Sequence, residues 1–76
     1  MISYEPLFRT LQEKGLKLIE IERKCELSSA TTSKFRKGQP VNLQTINRIC
    51  CFLRVPIEKV VEIKFEYDLP TTTKPD

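Results

Sequence analysis

The chain has 76 residues, of which 13 are lysine or arginine and 10 aspartate or glutamate, with no histidine and a net charge of +3. A chain this short supports one core and buries only a little over half of the surface it exposes when unfolded, so a large internal catalytic cavity is excluded and any ligand is expected to meet the outside of the fold. The three cysteines, Cys25, Cys50 and Cys51, are odd in number and have no histidine to complete a mixed zinc site, and no apolar stretch approaches a membrane span, so the expected setting is reducing and cytoplasmic, with no metal, cofactor or membrane partner.

Leu7, Phe8 and Leu11 recur at helical spacing behind Ser3 as a cap, Pro6 is tolerated in the first turn, and Gly15 is a stop, which predicts a first helix over residues 3–14. Leu18, Ile21 and Cys25 share one face of a short second helix. Ser28 is placed to cap a third helix over residues 29–37, which Gly38 and Pro40 end. Asn42 caps a fourth, whose Leu43, Ile46, Ile49, Cys50 and Leu53 form a continuous apolar stripe. Pro56 opens a last short turn through Ile57, Val60 and Val61, after which residues 63–67 alternate apolar and charged side chains as a strand does. The final stretch, residues 68–76, is rich in threonine and proline without periodicity and reads as a disordered tail behind one domain over residues 1–67.

Charge is segregated along this plan. Residues 1–26 carry five basic and five acidic side chains, whereas residues 27–57 contain no acid and five cations, Lys34, Arg36, Lys37, Arg48 and Arg54. Residues 58–76 return to a net charge of −2. A basic middle with neutral or acidic ends suits a polyanion bound on one face.

The segment GLKLIEIERKCELSSATTSKFRKG, residues 15–38, resembles the helix-turn-helix of the Xre family, the regulators related to the Cro and repressor proteins of lambdoid phages. QPVNLQTINRICCFLRVPIEKVVE, which follows, resembles the fourth and fifth helices of a compact bacterial and phage branch of that family. The resemblance covers roughly residues 3–66 and implies an all-α, five-helix lambda-repressor-like domain with a short C-terminal strand or extended segment. It also implies sequence-specific binding to double-stranded DNA as a transcriptional regulator, a repressor. In such a motif the second helix props the third so that its outer face enters the major groove.

By position, the resemblance turns Thr32 and Phe35 inward and presents Ser29, Ala30, Thr31, Ser33 and Lys34 to base edges, with Lys34 the first choice for guanine acceptors. Ser28, Lys17, Lys37, Asn42 and Arg48 suit phosphate. Arg36 has an alternative as the internal ion-pair partner of a glutamate in the first or second helix. Four positions depart from the family pattern. Glu26 stands where the turn usually has glycine, Glu22 replaces a small residue midway along helix two, Thr32 replaces an aliphatic of helix three, and Leu18 replaces a phosphate-binding glutamine. Either the two helices sit further apart, or Glu22 points out and Thr32 satisfies its hydroxyl on a backbone carbonyl of the preceding turn.

Cys25 and Cys50 lie on apolar stripes and are expected in the core, with Cys51 beside the stripe. Phe52 and the Ile63, Phe65 and Tyr67 face are harder to hide in so small a bundle. They either pack as the tail folds over helices one and five, or form a homodimer surface in which residues 63–67 pair with their copy, the reading favoured by two-fold operators. A second functional class remains, a protein-interaction module of antitoxin-like or inhibitor type on the same fold. No grouping of nucleophile, base and orienting group is recognisable, so no enzymatic activity is expected.

Overall fold

The computed structural model describes residues 1–65, so Tyr67 and the 68–76 tail lie outside the described residues. A short strand β1 (Ile2–Ser3) leads into α1 (Glu5–Lys14), α2 (Leu18–Lys24), α3 (Ser29–Lys37) and α4 (Leu43–Leu53), followed by one 3₁₀ turn (Ile57–Lys59) and strand β2 (Glu62–Ile63). The caps of α3 and α4 are local and legible. Ser28 Oγ accepts from the Thr31 N–H at 3.1 Å, and Asn42 Oδ1 accepts from the Thr45 N–H at 2.8 Å. Helix α1 begins one residue later than the cap reading implies. Tyr4 is its N-cap and Ser3 lies in β1, although Ser3 Oγ still accepts from the Glu5 N–H at 3.3 Å.

All four α-helices end in the same way. A left-handed residue follows the last turn at Gly15 (φ 70°), Glu26 (φ 56°), Gly38 (φ 71°) and Arg54 (φ 60°). The next N–H then reaches back five residues to a helical carbonyl, from Leu16 to Leu11, Leu27 to Glu22, Gln39 to Lys34 and Val55 to Cys50, at 2.9–3.1 Å. This is the Schellman closure, and glycine is its natural occupant because a Cβ is strained at positive φ. Glu26 adopts the left-handed conformation that glycine would hold, so the turn between α2 and α3 keeps its geometry at an energetic cost. Glu26→Gly is expected to stabilise the domain by about 0.5–1 kcal/mol and raise Tm by several degrees, the left-handed strain outweighing glycine's extra chain entropy. A thermal melt in which Glu26→Gly melted at or below the wild type would contradict this.

The core is one cluster, centred on Leu7, Leu11, Ile21, Phe35, Ile46, Ile49, Leu53 and Val60. Two buried hydroxyls tie its edges: Thr10 Oγ1 donates to the Lys59 carbonyl and Tyr4 Oη to the Gln39 carbonyl, each at 2.7 Å. Cys25 is buried, Cys50 half-buried and Cys51 exposed, and burial pushes the Cys25 and Cys50 thiols up, away from the reactive thiolate.

Three expectations are corrected. The fifth helix is a single 3₁₀ turn, because one turn repays little of the nucleation cost and the β-branched Val60, Val61 and Ile63 favour extended chain. The strand is also shorter and has a partner within the chain, β1 pairing antiparallel with β2 in the register Ile2 with Ile63 and Ser3 with Glu62. Lys64 extends this join, its N–H donating to the Met1 carbonyl and its ammonium to Glu5 Oε1 at 2.9 Å. Finally, Leu43 does not join the core. It is 73% exposed because the apolar stripe of α4 enters the protein only from Ile46 onward.

Candidate nucleic-acid interface

Helices α2 and α3 are joined by Cys25, Glu26, Leu27 and Ser28 alone, the Glu26 conformation reversing the chain and Ser28 starting the next helix. Within α3, Thr32 (1% exposed) and Phe35 (2%) face the core. At about 100° per residue, Ala30, Ser33, Lys34 and Lys37 fall on the opposite side. Ser29, Ala30, Lys34 and Lys37 are exposed, while Thr31 and Ser33 are half-buried. Thr31 Oγ1 lies 3.0 Å from the capping Ser28 Oγ, which holds both hydroxyls at the helix start. No acid stands in the first turn of α3, and its last turn carries Lys34, Arg36 and Lys37. Among the described residues the ion pairs are Arg9 with Glu5 and Lys64 with Glu5 and Glu62, so no described acid pairs with the three cations of α3. The internal pair considered for Arg36 is not formed. Its side chain instead lines a depression with Glu5, Phe8 and Lys64.

The family model of the Cro/C1-type HTH DNA-binding domain matches residues 7–66. The chain belongs to this family. The crystal structure of the transcriptional regulator VanUg, form II, is similar over 80% of this chain and 81% of that one, at 26% sequence identity and a TM-score of 0.79. No individually curated protein matches the chain. A Cro/C1-type domain is a DNA-binding regulator module, which agrees with the exposed, acid-free face of α3. Among the described residues no helix is long and apolar enough to cross a membrane, and no group of three or more histidine, cysteine, aspartate or glutamate side chains is arranged to hold a metal ion.

Relative to this Cro/C1-type frame, the other singled-out residues are dispersed. Lys17 is exposed at the start of α2, where its N–H donates to Glu20 Oε1 at 2.7 Å. Asn42 is exposed at the start of α4, its side-chain oxygen engaged in the cap. Arg48 is exposed on α4 and lines a depression with Lys24, Glu26, Asn47 and Phe52 that no residue of α3 lines. Ile63 lines a separate apolar groove of about 410 Å³ with Ile2, Val41, Leu43 and Ile57, and Phe65 is 83% exposed. Leu18 is buried, which explains why a phosphate-binding side chain has no counterpart there.

Glu22 behaves as neither sequence alternative foresaw. Thr32 Oγ1 lies 3.0 Å from the Ser29 carbonyl, the local bond considered for it, but also 2.9 Å from Glu22 Oε1, so Glu22 turns inward instead of pointing out. The signal was present as two unusual polar residues in one motif. Their pairing required the helices to be placed first.

Proposed function

We propose that this domain binds double-stranded DNA sequence-specifically as a homodimeric transcriptional regulator, a repressor that acts by occupying its operator, with α3 in the major groove. The observation that carries the reading is the exposed outer face of α3, basic and free of acids, on a helix whose inner face is locked into the core. In this reading Ser29, Ala30, Thr31, Ser33 and Lys34 meet base edges, Lys34 reaching guanine and the Ala30 and Thr31 methyls meeting thymine methyls. Lys17, Ser28, Lys37, Asn42 and Arg48 engage phosphates and set the register. The exposed Ile63 and Phe65, beside an apolar groove, favour a two-fold contact on that side of the domain over one through Phe52.

Selection of duplexes from a random pool at physiological salt tests this directly. The expected product is a motif of two related half-sites with centres about 10 bp apart, bound with an affinity that falls steeply as salt rises. A pool that shows no enrichment, together with a flat salt response, would exclude the reading. An enriched motif with a single half-site would remove the dimer and keep the DNA contact.

A further inference from the structure

We infer that Glu22 is a positioning residue for DNA reading: its carboxylate, on the C-terminal half of α2, holds the buried Thr32 hydroxyl and so sets the pose in which α3 is presented. The inference rests on the reading of α3 as the DNA-contacting helix.

Thr32 has one hydroxyl proton and two acceptors within reach, Glu22 Oε1 at 2.9 Å and the Ser29 carbonyl at 3.0 Å. The Ser29 carbonyl belongs to α3 itself, so it keeps the hydroxyl satisfied wherever the helix sits. The carboxylate belongs to α2, so the bond to it forms at one mutual placement of the two helices. It is also the stronger acceptor because it is charged. Satisfying a buried hydroxyl therefore does not require Glu22, and fixing the joint does. Glu22 is committed to that joint twice. Its own backbone carbonyl accepts from the Leu27 N–H at 2.9 Å and closes the turn around the left-handed Glu26. Among the described residues no cation lies within ion-pairing distance of its side chain.

The leverage follows from helix geometry. Ser29, assigned to a base edge, lies three residues from Thr32, about 4.5 Å along the axis, so a tilt of about 10° about Thr32 moves it by about 0.8 Å. That exceeds the roughly 0.5 Å within which a recognition contact must be held.

The test compares the full chain with Glu22→Ala, Glu22→Gln and Thr32→Val, measuring for each the affinity for the selected duplex, the affinity for a scrambled duplex at the same salt, and Tm. Glutamine keeps a side-chain oxygen that accepts from Thr32, whereas alanine removes it. Glu22→Ala and Thr32→Val are expected to lower the ratio of selected to scrambled affinity by at least about five-fold, the scale of one lost base contact. Glu22→Gln should stay within about two-fold of the wild type, well inside that scale. The Tm of Glu22→Ala should fall little, since the Ser29 carbonyl still serves Thr32. Equal ratios for Glu22→Ala and Glu22→Gln would overturn the inference and leave Glu22 as a surface charge whose loss raises affinity for every duplex alike. Affinities for both duplexes that fall together, in step with the folded fraction, would overturn it too. Should the wild type itself show no selectivity, the DNA reading fails, and this inference with it; selectivity in the wild type with unchanged ratios in the variants removes this inference alone.

Discussion

Replacing Phe35 with alanine is expected to cost about 3–5 kcal/mol, the range for emptying a buried aromatic site. The total stability expected for 76 residues is only about 4–11 kcal/mol, so this one change removes a large share of it. Phe35 is 2% exposed, and its ring meets the Tyr4 ring edge-to-face, with centroids 4.8 Å apart and planes at 81°. Tyr4 in turn donates its hydroxyl to the Gln39 carbonyl just beyond α3. The pair therefore clamps α3 in its last turn and just beyond its end, which is why the loss falls on the helix that carries the interface. Urea denaturation measures it. A midpoint lowered by at least about a quarter is expected for Phe35→Ala, and a smaller loss of about 1–2 kcal/mol for Phe35→Leu, which keeps most of the apolar volume. A loss below about 1 kcal/mol for Phe35→Ala would show that the core tolerates the cavity and that the clamp is not the main restraint on α3.

The second large effect concerns recognition and separates two lysines on one face. Lys34 and Lys37 are both exposed on α3, one turn apart, and neither is neutralised by an ion pair among the described residues. Both lie in the last turn of α3, Lys37 as its final residue and Lys34 three residues closer to the N-terminal end, the part that meets base edges in a helix-turn-helix. Lys34→Ala is expected to lose about 1–3 kcal/mol on the selected duplex and to relax preference at one base pair, with a smaller effect on scrambled DNA. Lys37→Ala is expected to weaken binding to all duplexes alike and to lower the salt slope by about 1, as removal of one phosphate contact does. Both folds should melt within a few degrees of the wild type, because neither side chain is buried. Binding isotherms on selected and scrambled duplexes at several salt concentrations distinguish the two. Equal losses on both duplexes for Lys34→Ala would reassign Lys34 to phosphate, and a loss confined to the selected duplex for Lys37→Ala would reverse the two roles.

Local chemistry determined most of the helical frame. Ser28 and Asn42 have short polar side chains that reach their own helix starts, and Gly15 and Gly38 accept the left-handed backbone without strain, so four ends of the frame, the end of α1, both ends of α3 and the start of α4, follow from neighbours in sequence. The acid-free stretch that becomes the exposed side of α3 is equally a property of the chain alone. Contacts between distant residues decided the rest. Glu26 and Arg54 occupy left-handed positions that their own preferences disfavour, because the packing of Leu27 and Val55 against the core requires the chain to turn there. β1 is too short to show an alternation and exists only because Glu62–Ile63 returns beside it. Leu43 reads as core from its spacing and is exposed because, among the described residues, little covers the first turn of α4. Above all, Glu22 and Thr32 each look like a misfit in a helix-turn-helix when taken singly. Only the crossing of α2 and α3 brings a carboxylate to 2.9 Å from a buried hydroxyl and makes the two departures one interaction.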